Sequence, residues 1–260
     1  MDMRNSLAVE TLASTDAAVA SVQFVSVVRR YAMNRGLGPV SFAVNSGTIC
    51  SIIGPNGSGK TTLVRTAALF EQPDSGTIYL EGQVISPDGG PADQIRGRVL
   101  GTVFQHAELW PHLSVRENVC LPLKKALGHT AAQSKEIADR ELEFFGLSDR
   151  ASAMPDQLSG GMKQRAVLAR CLAAPVRILL MDETTSALDP EWTERVHQRL
   201  REFADNGGTV ISVSHRLNLV RRMSDSVIYL DGGRIAEQGT PAEVIDNPRT
   251  PSLRRFIENA

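Results

Sequence analysis

The chain has 260 residues, 42% of them hydrophobic and 22% charged, so it is long enough for one large core or a core with a smaller subdomain. Its 28 Lys and Arg residues balance 29 Asp and Glu residues, which excludes the bulk basic field that binds nucleic acid or an anionic lipid surface. No apolar run approaches the roughly 18 residues of a membrane-spanning helix, and the first residues lack the pattern of an export signal, so we expect a cytoplasmic protein.

The N-terminal half is predicted to be rich in strands. Residues 1–20 are small and polar without periodicity, which predicts a flexible extension before a domain at 21–260. β-branched runs predict strands at 22–28, 40–44 and 48–53, and the third leads through a glycine-rich segment into a helix beginning near Leu63. A turn at 73–76 and strands at 77–80 and 99–104 follow, the last of them ending at Gln105.

The C-terminal half alternates helices and strands. Helical periodicity predicts an inserted helical subdomain at about 106–165, whose last helix continues to about Ala173. Strands are expected at 177–181, 209–213, 227–230 and 234–237, with a helix from Pro190 to about Phe203 and two short helices at the end. This alternation, beside an antiparallel β edge, predicts an α/β fold with a mixed sheet.

A glycine-rich segment carries the clearest chemical signal. Residues 54–62 read GPNGSGKTT and fit G-x-x-x-x-G-K-[ST] between a strand and a helix. Glycines let successive N–H groups converge on phosphate at the positive end of the helix, while Lys60 reaches the outer phosphates and Thr61 binds Mg²⁺. The alternative is an ordinary glycine-rich turn that caps a helix. The motif predicts a P-loop NTPase core with a nucleotide site formed by Gly54, Pro55, Asn56, Gly57, Ser58, Gly59, Lys60, Thr61 and Thr62.

Two adjacent acids follow the apolar strand at 177–181. Because neighbouring strand residues point to opposite sides, we assign Asp182 to Mg²⁺ and Glu183 to the water that attacks the outer phosphate. A pair of solvated acids that caps the next turn is the alternative, which the phosphate loop elsewhere in the chain disfavours. His215 and Gln105 also end strands, so His215 is a candidate contact to the attacking water and Gln105 a candidate metal ligand. Structural roles for both remain the alternatives.

A second anion-binding helix start is predicted at residues 158–165. Ser159, Gly160 and Gly161 open a helix and would offer backbone donors and a hydroxyl to an anion. The chain contains only one phosphate loop, so this second set makes sense if it completes the site of another copy.

Six parts of the chain resemble, in the same order, the motifs of ATP-binding cassette (ABC) transporter nucleotide-binding subunits. They are the phosphate loop, Gln105, residues 158–165, residues 178–183, residues 186–189 and His215. Within that family, the similarity is to polar amino-acid importers and lies at residues 103–105, 109–115, 117–119 and 186–191 and in the tail from 231 to 248. The resemblance implies an ATPase that binds ATP and Mg²⁺ in a homodimer or a pair with a related subunit. It also implies that hydrolysis drives the import of a small solute, a polar amino acid, through separate membrane permease subunits. The permease subunits and a solute-binding protein would be the partners, and the permease would hold the chain at the inner face of the membrane.

The same resemblance gives roles to individual residues. Tyr31 matches the aromatic residue that stacks on adenine, and Asp189 matches a loop that crosses the dimer interface. Ser159, Gly160 and Gly161 would contact the ATP held by the partner's phosphate loop. Two other functions stay open: a non-transport ABC ATPase that regulates or assembles a partner complex, and a monomeric phosphate-loop kinase that acts on a small molecule.

Overall fold

The computed structural model describes residues 20–31, 36–85, 99–104, 108–185 and 188–259. Two sheets form its framework. The first is antiparallel in the order β2-β1-β4-β5, from β1 (Ala20–Arg30), β2 (Gly36–Asn45), β4 (Ser75–Leu80) and β5 (Gln83–Ile85). The second has the order β10-β9-β3-β8-β7-β6, and its strands are β3 (Ile49–Ile53), β6 (Leu100–Val103), β7 (Ile178–Asp182), β8 (Thr209–Val213), β9 (Ser226–Asp231) and β10 (Arg234–Gly239).

The second sheet is mixed, as the sequence predicts. β3, β6, β7, β8 and β9 run parallel to their neighbours, and β10 pairs antiparallel with β9. Every residue of β3 and β7 is buried, because helices or the other sheet cover both faces of these strands. The carboxyl ends of the parallel strands therefore meet at one edge, where α/β proteins bind ligands.

Seven α-helices are described: α1 (Lys60–Ala67), α2 (Val115–Leu127), α3 (Ala131–Phe144), α4 (Gly160–Ala173), α5 (Pro190–Asp205), α6 (Leu217–Met223) and α7 (Pro251–Glu258). Within the described ranges, no helix combines the length and apolar character needed to cross a lipid bilayer. Short 3₁₀ turns at Ser148–Arg150 and Pro155–Gln157 precede α4, and a π-helical turn at Ala242–Asp246 precedes α7.

Alternate residues of the mixed sheet face two separate cores. Cys50 and Ile52 of β3 face α1 and the antiparallel sheet, whereas Ile49 faces the core formed by α2, α3, α4 and α5. This period-two alternation places one hydrophobic layer on each side of the sheet. A third, smaller cluster packs α6 and α7 against the β9 edge, around Tyr229 and Leu253.

Several predicted boundaries need correction. Ser75 and Gly76 belong to β4 rather than to the preceding turn, because Ser75 pairs with Val28 of β1. The first of the two short helices predicted at the end of the chain is a single π-helical turn, and α6 was not predicted. α6 is short, has no side-chain cap and buries only Val220, so it lacks a sequence signal. The extension at 1–20 and the subdomain boundary at 106–165 stay predictions.

The burial of His197 on α5 makes folding sensitive to acid. His197 is 7% exposed, and burial lowers its pKa from 6.5 to about 4. Below pH 6.5 the unfolded chain therefore binds a proton that the folded chain binds only near pH 4, so stability falls as the pH drops through this window.

We expect His197→Gln, which cannot ionise, to weaken that pH dependence. Between pH 7.5 and pH 5, urea unfolding of the wild type should lose about 2 kcal/mol more stability than unfolding of the variant. Equal losses in the two proteins would contradict this role of His197.

Candidate active site

The path of the chain from β3 to α1 explains the glycines of the phosphate-loop motif. Gly54 has φ 151°, and a Cβ there would lie 2.2 Å from the carbonyl oxygen of Leu230. Gly59 has φ 103°, and its Cβ would lie 2.9 Å from the carbonyl oxygen of Gly36. Side chains rarely adopt these φ values and would clash with neighbouring main chain, so both positions require glycine.

Hydrogen bonds from other parts of the fold hold this loop in place. The N–H of Ser58 donates to the Pro55 carbonyl over 3.2 Å, and the N–H of Gly233 donates to the Ser58 carbonyl over 3.0 Å. Gly38 in β2 then donates to the Gly233 carbonyl over 2.7 Å. The β9–β10 turn and β2 therefore support the loop, a tertiary contribution that no local pattern at Gly38 or Gly233 signals.

The start of α1 differs from the starts of the other long helices. Gly59 is its N-cap and supplies no side-chain acceptor to the first N–H groups. In contrast, five helices begin with a side-chain cap, from Ser114, Thr130, Ser159, Asp189 and Thr250. Uncapped N–H groups at the positive end of a helix are suited to bind an anion such as phosphate.

Lys60 lies at the centre of the loop. Its Nζ donates to the carbonyl oxygens of Gly54, at 2.8 Å, and Pro55, at 2.9 Å. Burial lowers the pKa of this ammonium, while the charges of Glu183 and Asp182 act in the opposite direction. The fold therefore places Lys60 of the phosphate loop close to both acids.

Asp182 is the last residue of β7 and is 4% exposed. Burial raises the pKa of its carboxyl group, and a hydrogen bond with the Thr61 side chain opposes this change. The fold thus places a carboxylate beside a hydroxyl, and Mg²⁺ prefers such oxygen ligands. Gln105, the third predicted metal ligand, lies outside the described residues.

Glu183 has surroundings different from those of Asp182. It has φ 52°, and its N–H donates to the carbonyl of Val213 in the adjacent strand β8 over 3.2 Å. Its Oε1 lies 2.6 Å from Nε2 of His215, which follows the same strand. The left-handed backbone of Glu183 is strained for a residue with a side chain. The Glu183 and His215 side chains join the ends of β7 and β8.

One cavity of about 260 Å³ brings eight of the predicted site residues together. Its lining consists of Tyr31, Gly36, Asn56, Gly57, Gly59, Lys60, Thr61, Thr62 and Glu183. The Tyr31 ring, the phosphate loop and the Glu183 carboxylate therefore line one cavity, as a nucleotide site requires. Gly36 was not predicted, because its place here depends on the pairing of β2 with β1 rather than on a motif.

Tyr31 is 40% exposed and is held at the cavity by two contacts. Its hydroxyl is hydrogen-bonded to Glu71, and the Arg29 guanidinium lies 5.1 Å from the ring centroid. Glu71 also forms an ion pair with Arg65 at 2.7 Å. Glu71 therefore orients the ring, a role that sequence reasoning did not assign.

The remaining predicted residues lie elsewhere. Nine of the predicted residues that the structure describes do not line this cavity. Five of them belong to the phosphate loop or to the neighbouring strand ends, namely Gly54, Pro55, Ser58, Asp182 and His215, and the other four are Ser159, Gly160, Gly161 and Asp189. Ser159 and Asp189 are exposed N-caps of α4 and α5, with Ser159 Oγ accepting from the Met162 N–H and Asp189 Oδ1 from the Trp192 N–H. Ser159, Gly160, Gly161 and Asp189 therefore lie at the starts of two other helices and outside the cavity lining.

Comparison with known proteins identifies the family. The family described as ABC transporter matches residues 37–186. The chain is 40% identical over 257 residues to the methionine import ATP-binding protein MetN of Brucella abortus, covering 98% of this chain and 69% of that protein. It is 38% identical to the histidine/lysine/arginine/ornithine transport ATP-binding protein HisP of Escherichia coli, covering 91% of this chain and 96% of that protein.

A solved structure is similar over most of its length. The dimeric, post-hydrolysis form of the ATP-binding cassette MJ0796 bound to ADP and Pi superposes with a TM-score of 0.78 and 31% identity. The match covers 85% of this chain and 98% of that one. The predicted α/β fold with a P-loop core, an antiparallel edge and helices is confirmed. The chain therefore belongs to the ABC transporter family and is an ATP-binding subunit that hydrolyses ATP.

Proposed function

We propose that this ATPase drives the import of an amino acid through separate membrane permease subunits. The names of the relatives in Brucella abortus and Escherichia coli, which concern methionine and histidine, lysine, arginine and ornithine, support this class of solute. A solute-binding protein would deliver the amino acid, and the permease would hold this subunit at the inner face of the membrane. The chain itself would contact no nucleic acid.

We assign the chemistry to residues at the strand ends. Lys60 and the N–H groups of α1 bind the phosphates, and the Tyr31 ring stacks on adenine. Glu183 accepts a hydrogen bond from the attacking water and takes up its proton, while His215, 2.6 Å away, orients the carboxylate. Phosphoryl transfer depends mainly on such positioning and on charge stabilisation.

Mg²⁺ fits the oxygen ligands beside the phosphate loop. The Thr61 hydroxyl and the Asp182 carboxylate are hydrogen-bonded to each other, and a cation would favour the ionised form of this buried acid. When bound, Mg²⁺ would neutralise charge on the phosphate oxygens. Gln105 is proposed as a further ligand from the sequence alone.

Two copies of the chain are proposed to share each ATP. The observation that carries this proposal is the separation of the two groups of residues. Six residues of the phosphate loop and Glu183 line the cavity, whereas Ser159, Gly160 and Asp189 are exposed and do not line it. A second copy, or a related subunit, would place its residues 159–161 and Asp189 over the bound ATP. The dimeric form of MJ0796 supports this arrangement.

Glu183→Gln should retain ATP binding but reduce kcat at least about 100-fold, because the amide cannot accept the proton of the attacking water. Phosphate release and equilibrium binding of a fluorescent ATP analogue measure the two properties. Glu194→Gln, which changes an exposed acid paired with Arg222, is the matched control and should behave as the wild type. Near-normal hydrolysis by Glu183→Gln would remove Glu183 from its proposed role.

A mixing experiment tests the shared site. Lys60→Ala should abolish ATP binding at the phosphate loop of its own chain, and hydrolysis with it. Ser159→Arg should block the ATP site on the partner chain. Each variant alone should therefore be inactive. A 1:1 mixture should recover about one quarter of wild-type activity, since half of randomly paired dimers are mixed and each contains one intact site. A mixture as inactive as its components would contradict the shared site.

Transport can be tested with the chain and its permease subunits in liposomes. We expect a binding protein loaded with L-methionine or L-histidine to stimulate ATP hydrolysis, and Glu183→Gln to abolish uptake of the labelled amino acid. Co-purification with a soluble or cell-wall partner, without stimulation by any loaded binding protein, would favour the non-transport ATPase.

A further inference from the structure

Trp192 connects two helices whose starts are both proposed to contact the ATP of a second copy. It lies in the first turn of α5, three residues after the N-cap Asp189, and its N–H donates to the Asp189 carboxylate over 2.9 Å. The main chain at Trp192 therefore helps to hold the Asp189 side chain.

The indole ring of Trp192 packs against Arg165 of α4. The guanidinium carbon lies 3.9 Å from the ring centroid, and Arg165 is only 8% exposed. Nη1 of Arg165 also donates to the Phe145 carbonyl over 2.6 Å, which fixes the guanidinium over the ring. Cation–π contacts are strongest when the cation is desolvated in this way. Because Arg165 is less than two turns after Ser159, this contact joins the beginning of α4 to the beginning of α5.

Gly146 makes the close approach of the ring possible. A Cβ at Gly146 would lie 2.5 Å from Cη2 of Trp192, and the φ of 63° at this residue also favours glycine. The loop after α3 is thus shaped to receive the indole. A second contact, between Arg199 of α5 and the buried Glu141 of α3 at 3.1 Å, joins α5 to α3.

We propose that Trp192 is a positioning residue that fixes Asp189 relative to Ser159, so that one chain presents both as a single rigid surface to the ATP bound by a second copy. This inference rests on the proposed shared site. It assigns to Trp192 an effect on the partner's nucleotide and none on the nucleotide held by its own phosphate loop. A general loss of stability would instead affect both nucleotide sites alike.

The mixed dimer of Lys60→Ala and Ser159→Arg chains shows which chain's Trp192 affects hydrolysis, because this dimer contains only one intact site. The Ser159→Arg chain supplies the phosphate loop of that site, and the Lys60→Ala chain supplies residues 159–161 and Asp189. Trp192→Leu in the Lys60→Ala chain should lower kcat about tenfold or more, the effect expected from losing a buried cation–π contact. The same substitution in the Ser159→Arg chain should change kcat less than about twofold.

Two further variants complete the test. Trp192→Phe keeps an aromatic ring, so in the Lys60→Ala chain it should lower kcat less than Trp192→Leu does. Arg195→Gln removes the exposed guanidinium 4.9 Å from the same ring and should leave kcat unchanged in either chain. If Trp192→Leu and Trp192→Phe each changed kcat equally in the Lys60→Ala chain and in the Ser159→Arg chain, the positioning role would be overturned. An inactive mixture without any change at Trp192 would instead overturn the shared site, and the inference with it.

Discussion

The main-chain path between Ile53 and Lys60 is the constraint on which the rest of the site depends. The loop turns from a buried strand into a helix through positions where a Cβ would strike the carbonyl oxygens of Leu230 and Gly36. That close packing leaves the first N–H groups of α1 without a side-chain cap and buries Lys60 beside two acids. Uncapped N–H groups at the positive end of a helix, with a lysine side chain beside them, are the physical basis for binding triphosphate.

The parallel sheet supplies the remaining groups by bringing strand ends together. β7 presents Asp182 and Glu183, and β8 presents His215, so that residues far apart in the chain meet beside the phosphate loop. The two acids differ because Asp182 is buried against Thr61 whereas Glu183 faces the cavity and His215. A metal ligand and a proton acceptor need these different surroundings, which supports the roles proposed for them.

The α/β core and the phosphate loop could be predicted from the sequence because each motif stands between the strand and the helix that its chemistry requires. A glycine-rich loop between an apolar strand and a helix, and acids directly after a buried strand, specify both local structure and chemistry. What could not be predicted depends on tertiary contact. Gly38 and Gly233 support the loop through main-chain bonds, and Glu71 contacts Tyr31 from a distant turn. The packing of Trp192 on Arg165 and Gly146 likewise joins three separate segments and has no local pattern.

The central claim, that two chains enclose each ATP, is tested most directly by mass. Light scattering of the Glu183→Gln variant should give a monomer near 28.2 kDa without nucleotide and twice that mass with MgATP, because ATP joins the copies and slow hydrolysis keeps them together. A monomer mass at saturating MgATP, together with wild-type hydrolysis whose rate per molecule is unaffected by dilution, would contradict the account.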